Sequence, residues 1–343
     1  MTRQRLPINL ILACLIVLPC LFGCGKRPEQ NRFTTPERDV SAPLGLSENL
    51  ERTHADYSLA KEAMEEEDWD IAASLLALLL EGSEPEAAFA NDLGYVEMRR
   101  GRPEQALEAL EKSIYLDPDY ERAYFNRGMA LSKLDRNSEA IEAYQKAVQL
   151  NDFYYEAWYN LGLLLYKENN LKAAKASFLQ ITERTRSSRF NRAYYQLGLI
   201  AADKGDDSEA VRYYNESLLL NPSHIPSYIN KATALLRLGQ AEKAEDLLRK
   251  AAALEPDNAR IHYNLGLVLR RLEKFQEAKE AYQQSVTLRP GSKRAWLNLG
   301  FVNAFLGEPE NASAAFKRAL EIDPEYNNAR SALNKLEAGL IQP

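Results

Sequence analysis

Carboxamide side chains recur at a regular interval through most of the chain. The interval is 34 residues except for one step of 36. A carboxamide carries both hydrogen-bond donors and an acceptor, so a row of them can hold the backbone of an extended peptide without selecting its side chains. The row predicts polypeptide binding and consists of Asn126, Asn160, Gln196, Asn230, Asn264 and Asn298.

Residue types that commonly carry catalysis are few and scattered. His54, His224 and His262 are far apart in the sequence, and nothing matches a nucleophile elbow, a phosphate-binding loop, a zinc-protease helix or a dinucleotide fingerprint. The acidic run 65–68 lacks the spacing of a calcium loop. We therefore expect no enzymatic activity, no metal and no cofactor.

Composition and charge narrow the class of partner. The chain has 343 residues, 45% hydrophobic and 27% charged, with a mean hydropathy of -0.43. These values are typical of a protein that folds in water. The formal net charge of -6 argues against a nucleic-acid partner, because polyanion binding requires clustered Lys and Arg.

The N-terminus has the features of a bacterial export signal. Arg3 and Arg5 precede an apolar run over 8–22, and all three cysteines lie within the first 24 residues. The segment ending in Cys24 resembles the lipobox of bacterial lipoproteins, which implies a signal peptide over 1–23 and lipid attached to Cys24. An uncleaved membrane anchor, or a signal peptide cut elsewhere, is the alternative.

The residues after Cys24 bear on location. Gly25 stands where lipoproteins kept at the inner membrane carry aspartate, so the resemblance implies an outer-membrane anchor facing the periplasm, with the inner membrane as the alternative. Residues 24–52 contain prolines and many charges without an apolar period, and we expect a disordered tether.

Two ladders of small residues indicate the elements that position the carboxamides. Members of the second ladder follow those of the first by twelve residues, and glycines between them allow a helix to end in a tight turn. The pattern predicts one pair of short helices per period. The first ladder is Ala60, Gly94, Gly128, Gly162, Gly198, Ala232, Gly266 and Gly300; the second is Ala72, Ala106, Ala140, Ala174, Ala210, Ala244, Ala278 and Ala312.

One period carries the most specific motif: Trp158-Tyr159-Asn160-Leu161-Gly162, then Ala174, Phe178 and Ile181. This motif resembles the tetratricopeptide repeat. The resemblance implies an all-α superhelix, an α-α solenoid of eight helix pairs over 53–326, with a capping helix and tail over 327–343. The repeats start near residues 53, 87, 121, 155, 191, 225, 259 and 293.

The resemblance also implies which residues face the inner groove. Eleven basic residues and three acidic ones occupy the groove places, although the cations in last helical turns could equally stabilise helix ends. Aromatic residues at the fifth place of five repeats could grip a ligand or fill space between helices. Asparagine at the sixth place is also common in the repeat generally. The predicted groove residues, beside the carboxamide row, are Tyr159, Tyr195, Tyr263, Arg99, Lys133, Lys167, Arg237, Arg270 and Arg271.

Together these features predict a scaffold or adaptor lipoprotein that binds extended or acidic protein segments in its groove. A pilotin-like assembly factor for a pilus or secretion system and a glycan-binding envelope protein are the alternatives. The repeat over 155–190 has two extra residues, which form either a local helix or loop extension or a hinge or basic docking loop. The partner and the oligomeric state are not encoded in these patterns.

Overall fold

A computed structural model describes residues 46–340 of the chain. Within these residues there are seventeen α-helices and one 3-10 turn, and no strand. No helix between residues 46 and 340 is long and apolar enough to cross a membrane. The predicted signal peptide, Cys24 and most of the predicted tether lie outside the described residues.

The helices alternate in antiparallel pairs, one pair for each repeat, and the all-α solenoid prediction is confirmed. The first helices of the pairs are α1 Leu46–Glu65, α3 Ala87–Arg99, α5 Glu121–Lys133, α7 Tyr155–Lys167, α9 Asn191–Asp203, α11 Ile225–Arg237, α13 Ala259–Arg271 and α15 Lys293–Phe305. The second helices are α2 Trp69–Glu81, α4 Pro103–Leu116, α6 Asn137–Leu150, α8 Leu171–Thr182, α10 Asp207–Leu220, α12 Ala241–Leu254, α14 Phe275–Leu288 and α16 Pro309–Ile322. The capping helix α17 is Asn327–Glu337.

From repeat 2 onward, every first helix begins at the residue predicted as the start of its repeat. At the N-terminal end the prediction is wrong by seven residues, because α1 begins at Leu46 and residues 46–52 are helical rather than part of a tether. This stretch contains neither Gly nor Pro. Once a packed turn exists, each further residue adds a hydrogen bond at little cost, so the helix extends backwards.

A left-handed residue ends the first helix in each of the eight repeats. Glycine takes this conformation without a Cβ clash, and Gly101, Gly205, Gly239 and Gly307 occupy it with φ between 73° and 78°. The other four repeats place a residue with a side chain there, at φ between 55° and 61°, and these are Glu67, Asp135, Asn169 and Glu273.

The two helices of a pair approach closely because glycine in the first faces a large side chain in the second. A Cβ built on Gly162 would lie 2.7 Å from the ring of Phe178, and one on Gly266 would lie 2.7 Å from the ring of Tyr282. In repeat 6 the same two places hold Ala232 and Leu248, both fully buried. Alanine thus faces leucine in repeat 6, whereas glycine faces an aromatic ring in repeats 4 and 7 and Leu110 in repeat 2.

Buried residues of neighbouring repeats form shared cores. One cluster runs from Met98 to Ile200 and another from Ile225 to Ala315, so no repeat buries its apolar face alone. At the C-terminal end α17 packs Ala329 and Ala332 into the cluster that surrounds Phe316. This helix therefore covers the end of the stack, as predicted.

The two extra residues of the repeat 155–190 lie in a loop rather than a longer helix. Helix α8 ends at Thr182, and a 3-10 turn over Ser188–Phe190 precedes α9. Three arginines of this loop pair with carboxylates of repeats 3, 4 and 5. The pairs are Arg184 with Asp152, Arg186 with Glu216, and Arg189 with Glu156.

Candidate peptide-binding groove

The wall of the candidate groove is formed by the first helices of the repeats. Successive first helices contact each other directly, as α3 does with α5 and α11 does with α13. A residue at the fifth place of one repeat therefore lies next to the sixth-place residue of the following repeat.

Two of the predicted asparagines are engaged by this neighbour. The Asn230 side-chain amide donates a hydrogen bond to the Tyr195 hydroxyl at 3.0 Å, and the Asn298 amide donates to the Tyr263 hydroxyl at 3.2 Å. Both bonds tie adjacent repeats together. These two asparagines therefore have a structural role, whether or not their remaining polar atoms contact a ligand.

A third asparagine is withdrawn from the groove surface. Asn126 is only 8% exposed, and its amide donates to the Asn91 side-chain oxygen at 2.8 Å. In the preceding repeat Asp92 takes the sixth place and accepts a hydrogen bond from the Tyr57 hydroxyl at 2.6 Å. Asn126 is therefore nearly buried and already hydrogen-bonded, but it still lines a cavity with Asn91 and Asp92, so its contact with peptide stays a prediction.

Asn160 and Asn264 differ because an apolar residue occupies the fifth place of the preceding repeat. Phe125 and Ile229 have no polar group to offer them. Asn264 donates instead to the Arg260 carbonyl oxygen at 2.7 Å, and Asn160 lies beside the Tyr144 hydroxyl. Both side chains are partly exposed and keep further donor and acceptor capacity, and Gln196 is partly exposed as well.

The fifth-place tyrosines pack against aromatic residues of the second helices. The ring of Tyr159 lies 5.7 Å from that of Phe178, and the ring of Tyr195 lies 6.0 Å from that of Tyr214. Burial raises the pKa of Tyr195 and of Tyr263, so both are neutral hydroxyls at physiological pH. Tyrosine at this place therefore fills space between helices first and borders the groove second.

Four of the six cations predicted in the groove contact the preceding repeat, and three of these four form ion pairs. Such contacts neutralise charge that the sequence had assigned to the groove. They are Arg99 with Glu67 at 3.3 Å, Lys133 with the Met98 carbonyl at 3.1 Å, Lys167 with Asp135 at 3.2 Å, and Arg237 with Asp207 at 2.6 Å. Lys133 thus meets a carbonyl in the last turn of α3, while a carboxylate of the preceding repeat holds each of the other three.

Two of the predicted groove acids also have partners. Asp203 accepts a hydrogen bond from the Tyr166 hydroxyl, and burial together with this bond raises the pKa of Tyr166 to about 12. Glu156 pairs with Arg189 of the loop. The first contact joins repeats 4 and 5, and the second ties the loop to the start of α7 within repeat 4.

A different set of cations remains exposed. Across residues 53–340, these side chains make no ion pair. Several occupy the second place of their repeats, at the start of the first helix. The set comprises Arg122, Arg192, Arg260, Arg294, Arg270 and Arg271.

Two features of this wall were missed from the sequence. The first is the polar pair Asn91 and Asp92 in repeat 2, and the second is Arg289, which lies between repeats 7 and 8. A 35-residue offset joins Tyr57 to Asp92, Asn91 to Asn126 and Tyr195 to Asn230. Searching for that offset, rather than for asparagine alone, would have found the first feature.

The described residues contain no group of three His, Cys, Asp or Glu side chains placed to hold a metal ion. His224 Nδ1 lies 2.8 Å from the Ser227 hydroxyl, and His262 Nε2 lies 2.6 Å from the Pro256 carbonyl oxygen. The His224 contact lies within the first turn of α11, and the His262 contact joins α13 to the turn that precedes it.

Stacked helical hairpins with a polar wall of first helices define an α-solenoid of the protein-interaction class. The chain belongs to the tetratricopeptide repeat family. Models described as tetratricopeptide repeat match residues 121–154, 155–187, 191–224, 229–293 and 266–327, and one described as TPR repeat matches 94–135. Such a scaffold is suited to binding other proteins.

Curated relatives match parts of the chain. It is 36% identical over 61 residues to the uncharacterized protein MJ0572 of Methanocaldococcus jannaschii, across 18% of this chain and 71% of that protein. It is 41% identical over 61 residues to the photosystem I assembly protein Ycf3 of Acaryochloris marina, across 17% of this chain and 37% of that protein. Against the human protein O-mannosyl-transferase TMTC3 it is 25% identical over 208 residues, which is 58% of this chain but only 19% of the transferase.

Solved structures share the fold. A Pseudomonas aeruginosa pilF structure has a TM-score of 0.52 at 23% identity, covering 62% of this chain and 94% of that one. The anaphase-promoting complex assembly Cut9–Hcn1 has a TM-score of 0.53 at 16% identity, covering 78% of this chain and 52% of that one. At these identities the likeness concerns the fold alone.

Proposed function

We propose that the protein is a lipid-anchored scaffold of the bacterial outer membrane that faces the periplasm and binds extended, acidic protein segments. The observation that carries this proposal is the row of exposed second-place arginines that have no ion-pair partner within 53–340. Arg122, Arg192, Arg260 and Arg294 repeat along the same wall as the available amides of Asn160 and Asn264.

Physical chemistry supports an acidic, extended ligand. Guanidinium groups bind carboxylates through paired hydrogen bonds, and carboxamides bind peptide units without regard to side chain. Because the whole chain has a net charge of -6, the residues outside this cationic wall are acidic on balance. We also propose that the protein binds its partner and does not catalyse a reaction.

Capture of a partner tests the groove. We expect the Asn160→Ala and Asn264→Ala double variant to lose proteins that the unchanged chain retains from chemically crosslinked envelopes. The matched control is Asn215→Ala with Asn311→Ala, since both asparagines lie on second helices and Asn215 is exposed. Equal capture by the groove variant and the control, at equal helicity by circular dichroism, would refute a role for these amides.

The anchor is tested separately. Lipid chains on Cys24 would contribute about 0.8 kcal/mol for each buried methylene, enough in combination for stable membrane attachment. We expect Cys24→Ser to move the protein from the membrane fraction to the soluble periplasmic fraction. Unchanged membrane association would favour an uncleaved N-terminal anchor.

A further inference from the structure

A cavity of about 290 Å³ lies between repeats 7 and 8, at the C-terminal end of the candidate groove. Three guanidinium groups line it, from Arg260, Arg289 and Arg294, and no carboxylate does. Tyr263 and Asn264 complete the polar wall. We name this cavity the repeat 7–8 pocket.

The three arginines come from three separate elements. Arg260 is the second residue of α13, Arg294 is the second residue of α15, and Arg289 directly follows α14. All three are exposed, and among the described residues none forms an ion pair. Glu255 and Asp257 border the adjoining cavity together with Arg260 and Arg289, but no ion pair joins them. The fold therefore gathers three like charges around a cavity whose own lining contains no carboxylate.

This arrangement contrasts with the cavity of about 500 Å³ in the groove of repeats 2 to 4. That cavity contains three carboxylates, from Asp92, Glu121 and Glu156, beside the cations Arg122 and Arg189. Arg189 and Glu156 neutralise each other directly. The cavity of repeats 2 to 4 therefore has one more carboxylate than guanidinium groups, whereas cations are the only charged groups that line the repeat 7–8 pocket.

Asn264 adds a peptide-binding group to the pocket. Its amide uses one N–H on the Arg260 carbonyl oxygen at 2.7 Å, which leaves a second N–H and the side-chain oxygen for a ligand. A segment lying along α13 could contact Asn264 with its backbone while an acidic side chain meets the arginines. Arginine favours carboxylates at such a place because its planar fork forms two parallel hydrogen bonds.

We infer that the repeat 7–8 pocket binds side-chain carboxylates of the protein segment held in the groove. This inference rests on the proposed function and makes it more specific, because the acidic part of the ligand is assigned to repeats 7 and 8 instead of to the whole groove. The pocket thereby sets which end of the groove the acidic part occupies.

The test uses the full chain, purified in detergent, and fluorescein-labelled hexaglutamate, with hexaglutamine as the uncharged comparison. We expect fluorescence anisotropy to show binding of hexaglutamate and at least a tenfold weaker affinity for the variant Arg260→Gln, Arg289→Gln, Arg294→Gln. The control variant Arg186→Gln, Arg212→Gln, Arg318→Gln has the same net charge, alters exposed arginines outside the pocket, and should bind like the unchanged chain.

Lysine at the same three positions keeps the charge but removes the planar fork, so we expect an intermediate affinity and a folded protein. Equal affinity of the pocket and control variants for hexaglutamate would overturn the inference, as would an unchanged chain that does not bind it. Displacement of hexaglutamate by an equal concentration of inorganic phosphate would also overturn it. None of these three results decides the proposed function, which is tested separately by partner capture with the Asn160→Ala and Asn264→Ala double variant.

Discussion

The contact between Gly162 and Phe178 offers the sharpest test of how the helix pairs are held. Alanine at position 162 would place its Cβ 2.7 Å from two ring carbons of Phe178, whereas carbon atoms in contact lie about 3.5 to 4.0 Å apart. Phe178 is fully buried, so its ring cannot move into solvent. The two helices of repeat 4 must therefore separate by roughly 1 Å or distort.

Two effects of opposite sign decide the outcome for Gly162→Ala. Replacing glycine inside a helix gains about 1 kcal/mol from helix propensity. Overpacking a filled core costs about 1 to 3 kcal/mol. We expect a net loss of up to about 2 kcal/mol in the free energy of unfolding, measured by the shift in denaturant midpoint. Gly291→Ala is the control for the ring contact alone, because its Cβ would meet no atom within 4 Å and it lies in the turn before α15, where no helix propensity is gained.

A second substitution should restore the contact. Repeat 6 already contains Ala232 opposite Leu248, so Gly162→Ala with Phe178→Leu recreates a pair that this fold accommodates. Phe178→Leu alone should cost roughly 1 to 2 kcal/mol by leaving a cavity. We expect the double variant to be more stable than the sum of the single effects by about 1 kcal/mol or more. Additive effects, or a Gly162→Ala variant more stable than the unchanged chain, would refute the packing argument.

Three further expectations follow from individual contacts. Asn230→Ala should lower the free energy of unfolding by about 0.5 to 1.5 kcal/mol, because it removes the hydrogen bond to Tyr195. Tyr195→Phe in the same chain should lower it little further, because that bond is already lost. Fully additive effects in denaturant unfolding would contradict this expectation. Glu273→Gly should raise the free energy of unfolding by about 1 kcal/mol, because glycine takes the left-handed backbone at φ 59° without strain. The denaturant midpoint should rise accordingly. Burial lowers the pKa of His224, so the unfolded chain takes up its proton first as pH falls below about 6.5. Stability should therefore fall in that range, and less steeply in His224→Gln.

The repeat spacing predicted the fold well because the same residue types recur at the same places in each period. Glycine or alanine at one place and a large apolar residue sixteen positions later define one hairpin, and eight hairpins in register leave few alternative arrangements. The start of α1 was not predictable in this way. Helix extension beyond the first packed turn depends on cooperative hydrogen bonding rather than on a periodic signal.

The candidate groove was predicted only in part, because a residue's place in the repeat does not reveal its partner in the next one. Asn126 and Asn264 occupy the same place, yet Asn91 binds the first and Ile229 leaves the second available. The same limit applies to Arg237, which pairs with Asp207, and to Arg294, which does not pair. Pairwise contacts between repeats decide availability, and a pattern read one repeat at a time omits them.

The arginines of the loop between α8 and α9 make this junction sensitive to ionic strength. Arg184 pairs with Asp152 and Arg186 pairs with Glu216, and all four side chains are partly or largely exposed. Added salt screens attraction between exposed charges, so both pairs weaken as the ionic strength rises. We therefore expect the amides of this loop to exchange their hydrogens faster in high salt, which would let repeats 4 and 5 shift against each other where the chain carries its two extra residues.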